Sequence, residues 1–501
     1  MISGYAVAQV RAAEDRVRAG LPDGELMQRA ARGLAHVVAR RAAERGARRL
    51  VVLAGPGDNG GDALWAASVL AREGLGDDGV GGAGLTVVGV AERLHAEGLA
   101  AVRAAGIEVH LVAPGADRLP PAVAGALRGA HLVVDGLLGI GGRPGLRGAM
   151  AAVVDAVPQT AYLVAVDLPS GADPAGEEPL GQAVRADETV TFGMAKPVHL
   201  LPATGPAVGR LTVVDIGVRT DVAPLVERLE HADVPRLWPV PEPQDHKYSR
   251  GVLGVVAGSE AYPGAAVLTT TAAVESGAGM VRYLGPGRPT GLVLAACPEV
   301  VPGEGRVQAL AVGPGIDPDG DDQQVDRVRA ALGEDVPLVV DAGAVQLLAA
   351  WLDAGHRRPA PTLFTPHAGE LAGLLSVLED SEVTREQIEA APLAHARRAA
   401  ARTGCTVLLK GATTLVVDPD PDVPVRAQAD APAWLATAGA GDVLSGLAGV
   451  LLAAGLEPRD AGSLAALVHG VAADRANPGG PLRALAVARS IPSTVAALLA
   501  R

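Results

Sequence analysis

The chain has 501 residues and a formal net charge of −13, with 43 Lys and Arg against 56 Asp and Glu. That balance argues against a nucleic-acid binder or a protein of anionic membrane surfaces, since both need a basic face. Hydrophobic residues make up 49% of the chain, which argues against general disorder and leaves ample material for packed cores. A prior of roughly 150 residues per domain suggests two to four domains. The first residues lack the basic start and apolar core of a signal peptide, and the apolar runs are too short and glycine-broken to cross a bilayer. Cys297 and Cys405 form neither a disulfide framework nor a zinc set. A reduced, soluble, cytoplasmic protein is the expectation. Only three of the basic residues are lysines, Lys196, Lys247 and Lys410. A lysine kept where arginine serves elsewhere can mark a place that a guanidinium does not fit.

Two helical patterns open the chain, near 5–19 and 24–46, followed by a strand over 49–54 that ends in the glycine-rich GPGDNGGD. Further strands are predicted at 85–90, 109–112, 131–135 and 162–167, with helices between them; the Gly-rich stretch 74–84 reads as a flexible loop. Continuous apolar strands alternating with helices predict a parallel sheet covered on both faces. From about 218 to 246 the alternation lapses among Pro235, Pro239, Pro241 and Pro243, which reads as a linker over 219–244. A second alternation follows, with strands near 252–257, 309–312, 337–341, 362–364 and 406–409 and helices from Asp442 onward. The fold class is therefore α/β, with two doubly wound domains at 1–218 and 245–501.

In the first half, Gly55, Gly57 and Gly60 match the G-x-G-x-x-G dinucleotide spacing, but Asp58 and Asp62 would repel a pyrophosphate. From the loop alone, a tight strand-to-helix turn capped by Asp58 or Asn59 is the favoured reading. Asp135 closes the next apolar strand and Asp167 the one after, leading into Ser170. Asn59, Asp135 and Ser170 could supply oxygen ligands to one hard cation, and glycines 139–145 could lie against phosphates through backbone N–H groups.

Together these motifs resemble the N-terminal domain of the NAD(P)H-hydrate epimerases, over roughly residues 1–218. The resemblance implies a Rossmann-like three-layer sandwich that binds K+ through Asn59, Asp135 and Ser170. It implies contacts to a hydrated dinucleotide from Asp58, Asn59, Gly60, Gly61, Asp62, Gly139, Ile140, Gly141, Gly142, Arg143, Pro144, Gly145 and Asp167. Asp58 and Ile140 depart from the residues usual at those places. The catalytic candidates are Asp167 and, from the segment 191–196, Lys196, for which a strand-end salt bridge is an equal alternative.

In the second half the strongest cluster is TAGAGDVLSG, 437–446. Its glycines and the following helix offer backbone N–H groups as an anion hole for a moving phosphoryl group. Asp442 can take a proton from an attacking hydroxyl; an N-cap is the plain alternative. LLKGATTLV puts Lys410 at a strand end before Gly411, Ala412, Thr413 and Thr414, and FTPHAGEL does the same with His367 and Glu370. AVGPGI adds Gly315, and HKYSRGVLGVVAGSEAYPGAAVL adds Lys247 and Ala265.

From about 245 onward the chain resembles the ADP-dependent NAD(P)H-hydrate dehydratases of the ribokinase-like superfamily, which implies a second three-layer sandwich. The resemblance implies that Lys410, Gly411, Ala412, Thr413, Thr414 and Gly441 bind the adenine nucleotide. It implies that Ala265, Gly315, His367 and Asp442 contact the hydrated substrate. Gly343, in DAGAV at 341–345, stands where the family often has a second aspartate. ADP as co-substrate and Mg2+ are expected, with small-molecule partners only and a homo-oligomer. The expected function is repair of hydrated NADH and NADPH, a lyase joined to an isomerase. The alternative is a ribokinase-type small-molecule kinase fused to a silent nucleotide-binding module.

Overall fold

The computed structural model describes residues 1–73, 84–116, 118–320 and 322–500. The Gly-rich stretch read as a loop lies outside these residues except for Gly84. The chain divides into two compact units, Ser3–Val226 and Glu227–Arg501, with Met1–Ile2 belonging to the second. Strands are numbered from β1 (Ile2–Gly4), which joins the edge of the second sheet.

The first unit is built on a seven-stranded parallel sheet. Its strands are β2 (Arg49–Ala54), β3 (Gly84–Val90), β4 (Glu108–Val112), β5 (Leu132–Gly136), β6 (Tyr162–Val166), β7 (Glu188–Phe192) and β8 (Arg210–Val214). They lie in the order β4-β3-β2-β5-β6-β7-β8, so the winding reverses between β2 and β5. Strand β2 shows why its sequence is apolar after the exposed Arg49. Leu50, Val52 and Ala54 enter one core, with helices Glu25–Arg45 and Asp58–Glu73. Val51 and Leu53 enter the other, with helices Pro121–Arg128 and Gly148–Asp155. Alternate side chains point to opposite faces, so a strand covered on both must be apolar at every position.

The second unit carries the longer sheet. Its strands are β9 (Val226–Arg228), β10 (Val252–Val256), β11 (Met280–Tyr283), β12 (Val301–Pro302), β13 (Ala309–Val312), β14 (Leu338–Val340), β15 (Thr362–Phe364), β16 (Thr406–Leu409), β17 (Thr414–Val417) and β18 (Val425–Gln428). The order is β1-β9-β18-β17-β16-β15-β14-β13-β10-β11-β12. Pairing is parallel from β12 through to β16, and antiparallel in β16-β17-β18. Helices Pro263–Glu275, Ala440–Ala453, Pro458–Ala476 and Ala484–Leu499 share one core. The segment read as a linker contains β9 and the short helix Val234–Leu237. Both cysteines are free and buried, and no helix among the described residues is long and apolar enough to cross a membrane.

Candidate functional site

In the first unit the strand ends around the reversal of winding open on a cavity of about 910 Å³. A ligand is expected there, where adjacent crossovers leave opposite faces of the sheet. The β2 loop and the β5 loop meet closely: a side chain at Gly55 would start 1.8 Å from the carbonyl oxygen of Leu137. That glycine is therefore required by packing.

Beside this junction Asp135, Ser170 and Asn59 converge. The Ser170 hydroxyl donates to Asp135 Oδ1 at 2.7 Å, and its amide donates to Oδ2 at 2.9 Å. Asn59 Nδ2 donates to the Leu138 carbonyl at 3.0 Å, a carbonyl that lies 3.2 Å from Ser170 Oγ. Burial pushes the Asp135 carboxyl up to about 6, with the Ser170 hydrogen bonds opposing the rise. Asn59 Oδ1 is buried and accepts no hydrogen bond. An orphaned carbonyl oxygen next to a buried carboxylate, a hydroxyl and a peptide carbonyl is the donor set of a hard monovalent cation. The residues present thus fit a potassium ion.

Asp167 follows β6 with φ of 65°, a left-handed conformation that aims its carboxyl between the strand ends. Lys196 Nζ lies 2.5 Å from Asp167 Oδ1, and also donates to Thr191 Oγ1 at 2.9 Å and the Met194 carbonyl at 3.3 Å. Lys196 is 1% exposed and lies behind Asp167, outside the cavity lining. His199 accepts the Lys196 amide at Nδ1, which leaves Nε2–H to hold the Asp167 carbonyl at 2.7 Å. Burial raises the Asp167 pKa, but the charge and hydrogen bond of Lys196 outweigh it and leave the group below its ordinary value. Asp62 shows the opposite balance. Its Oδ1 is buried without a partner, and burial, with Asp167 and Asp58 nearby, pushes its pKa well up.

The cavity lining includes Asp58, Asn59, Asp62, Asp167, Gly139, Ile140, Gly141 and Gly142. Gly60, Gly61, Arg143, Pro144 and Gly145 are not among the lining residues. The first two helices, read from the sequence only as helices, supply Arg11, Glu14 and Met27 to the wall. Burial raises the Glu14 pKa, with Lys196 opposing. No motif marks these positions; the inward faces of two amphipathic helices are the only sequence signal they carry.

In the second unit the ends of β14, β15 and β16 converge with the starts of helices Ala368–Glu379 and Ala440–Ala453. Lys410, after β16, donates to Asp341 Oδ1 at 2.7 Å and lies 3.7 Å from Glu370 Oε2. The Ser445 hydroxyl donates to Asp341 Oδ2 at 2.6 Å. A side chain at Gly441 would start 3.4 Å from Lys410 Nζ, so the glycine turn lies against the ammonium. Burial lowers the Lys410 pKa, but Asp341 and Glu370 more than reverse this and keep it charged. Asp442 stands in the first turn of helix Ala440–Ala453, where burial and then Asp341 push its carboxyl up to about 7, partly offset by Lys410.

His367 caps helix Ala368–Glu379. Its Nδ1 accepts from the amides of Gly369 and Glu370, and its own amide donates to Glu370 Oε2 at 2.7 Å. The Gly315 and Ala265 positions also meet: a side chain at Gly315 would start 2.5 Å from Ala265 Cβ. Gly343 proves necessary, because a side chain there would start 2.0 Å from the Ile316 carbonyl oxygen. The aspartate seen at that place in the resembling family does not fit this backbone. Thr413 and Thr414 lie in the turn and first residue of β17. Lys247 lies in an exposed segment, 5.2 Å from the Tyr248 ring, and makes none of these contacts. Among the described residues no group of three His, Cys, Asp or Glu side chains is placed to hold a metal.

Residues 253–486 match the family described as NAD(P)H-hydrate dehydratase. Residues 23–198 match the one described as YjeF-related protein N-terminus. A bifunctional NAD(P)H-hydrate repair enzyme from Mycobacterium leprae is 42% identical over 95% of this chain and 94% of its own. One from Mycobacterium tuberculosis is 43% identical over 91% of this chain and 90% of its own. A third, from Corynebacterium glutamicum, is 34% identical over 81% of this chain and 78% of its own. Similarity at this level across both units shows that the chain belongs to the family of bifunctional NAD(P)H-hydrate repair enzymes, which join an epimerase to a dehydratase.

Proposed function

We propose that the first unit interconverts the R and S hydrates of NADH and NADPH at Asp167, and that the second dehydrates the S form with ADP at Asp442. The observation that carries this division is the contrast in the two aspartates. Asp167 is held ionised by a buried lysine, and Asp442 is poised near neutrality beside a glycine turn.

Hydrated NAD(P)H carries a hydroxyl on the ring carbon next to the ring nitrogen. The nitrogen lone pair expels that hydroxyl as water once a proton is supplied. Water returns to either face once a base removes its proton. Asp167 is the base, and Lys196 positions it and sustains its charge. Asp62, whose pKa burial pushes up, is a second carboxyl in the same cavity with the opposite direction of shift. K+ would be held by Asn59, Asp135 and Ser170, where it supplies a fixed positive charge and braces the β2 and β5 loops.

In the second unit Asp442 takes the proton of the ring hydroxyl, whose oxygen then attacks the terminal phosphorus of ADP, with AMP as leaving group. Charge on the moving phosphoryl oxygens meets the amides of the 438–441 turn and the Lys410 ammonium. The ring nitrogen expels phosphate, and loss of a proton from the neighbouring carbon restores the dihydropyridine. Lys410, Gly411, Ala412, Thr413, Thr414 and Gly441 form the nucleotide side of this site; Ala265, Gly315 and His367 form the substrate side. Mg2+ would enter with ADP, held chiefly by phosphate oxygens. The ligands are small molecules in a reduced, cytoplasmic compartment, and a homo-oligomer remains part of this reading.

The test is to supply the purified chain with both epimers of hydrated NADH, ADP and Mg2+, and to follow the absorbance of regenerated NADH. Complete consumption of both epimers supports the reading. Accumulation of a stable phosphorylated product, without NADH, would support the kinase instead.

A further inference from the structure

The first-unit cavity poses an electrostatic problem for the substrate assigned to it. Asp58 and the ionised Asp167 line it, beside Glu14 and Asp62 whose protons burial favours, and a dinucleotide brings a diphosphate carrying two negative charges. Like charges in a partly desolvated site repel strongly, so the diphosphate must lie where the wall is positive.

Two arginines of helix Val7–Arg18 line the cavity, Arg11 and Arg18. Arg18 is already committed, with Nη1 on Asp15 Oδ1 at 2.7 Å. Arg11 has no hydrogen bond or ion pair among the described residues. Its Nη2 lies 3.5 Å from the point where a Gly141 side chain would begin. The guanidinium therefore stands over the glycine loop 139–142, the part of the wall where backbone can approach a ligand closely. One helical turn further on, Glu14 faces the same cavity, so this helix face presents an acid and a base in a fixed order.

Resting on the epimerase reading of this cavity, we propose that Arg11 holds the diphosphate of the hydrated dinucleotide against the Gly139–Gly142 loop and so fixes which end of the substrate faces Asp167. A planar fork with free N–H donors suits two phosphate oxygens. The acidic wall then does the complementary work by excluding the diphosphate from the end where the ring reacts. Arg11 is a binding residue here and touches no reacting atom.

The experiment measures epimer exchange by the full-length chain without ADP, so that dehydration is silent. Two substrates are compared: hydrated NADH, and hydrated reduced nicotinamide riboside, which has the same ring and no phosphate. For Arg11→Gln the KM for hydrated NADH should rise about tenfold with kcat retained. The KM for the riboside should not change, and Arg11→Lys should recover part of the loss. An unchanged KM for hydrated NADH, or an equal rise for both substrates, overturns the proposal while leaving the epimerase reading in place. Absence of exchange by the unsubstituted chain overturns that reading, and the Arg11 assignment falls with it.

Discussion

Ser445 places its hydroxyl 2.6 Å from Asp341 Oδ2, while Lys410 occupies the other oxygen of the same carboxylate at 2.7 Å. The helix that carries Asp442 is thereby tied to the strand ends that carry Lys410. Ser445→Ala should cut that tie. A hydrogen bond to a buried carboxylate contributes about 1.5–3 kcal/mol, so a fall in stability of that order is expected, seen as a lower denaturation midpoint. Dehydration should slow, with epimer exchange unchanged. Normal dehydration kinetics in this variant would show that Asp341 needs no second anchor.

Asp442 gives a pH prediction with a definite sign. A base must be ionised to act, so the dehydration rate should climb as pH passes through about 7 and level off above it. Asp442→Asn should lower the rate by about 10²–10⁴ and spare epimer exchange. The same shift bears on stability. The folded state holds this proton up to about pH 7, whereas the unfolded chain loses it near 3.8. The ionised carboxyl therefore costs stability, a cost that appears as pH rises above 3.8 and is complete above about 7. Asp442→Asn should melt higher than the unsubstituted chain at pH 8, with the gap closing toward pH 4.

Asp167 and Lys196 should behave as a coupled pair. Asp167→Asn keeps a residue that tolerates the left-handed backbone found there, but it leaves the buried Lys196 ammonium without its counterion, so it should lose epimer exchange and also some stability. Lys196→Met strands a buried carboxylate, for which a cost of about 3–5 kcal/mol is expected. Adding Asp167→Asn to Lys196→Met should recover much of that stability without restoring exchange. A double variant as unstable as Lys196→Met alone would show that the lysine matters for packing rather than charge.

The cation site can be tested without any turnover. Potassium that binds only the folded state should stabilise it by about 2.7 kcal/mol at one hundred times its dissociation constant, seen as a higher melting midpoint. Lithium, too small for a site built on Asn59, Asp135, Leu138 and Ser170, should not. Asn59→Ala removes the orphaned oxygen and should abolish the potassium response while leaving the second unit's melting unchanged.

Much of the fold is legible in the sequence. Apolar strands such as 49–54 and 131–135 announce a doubly covered sheet because both faces of each strand must be buried. Glycine-rich loops mark strand ends because packing there admits only backbone, as Gly55 against Leu137 shows. Asp167, Asp442 and Lys410 could be named because each falls in a short motif at such an end. For Lys196 the sequence leaves a proton-handling role and a strand-end salt bridge open, and the structure shows an ion pair to Asp167.

What the linear order could not supply is which distant residues meet. Ser445 and Asp341 are 104 positions apart, and no local pattern distinguishes a helix serine that grips a remote carboxylate from one that does not. Arg11 and Glu14 read as the surface of an ordinary amphipathic helix until the fold brings that face over a glycine loop. The chain's own chemistry determined its elements and its strand-end motifs, since these depend on neighbours in sequence and on burial. Only the tertiary structure decided charge states and partners, because the desolvation that lifts Asp442 and the ammonium that holds Asp167 down come from groups brought together by folding.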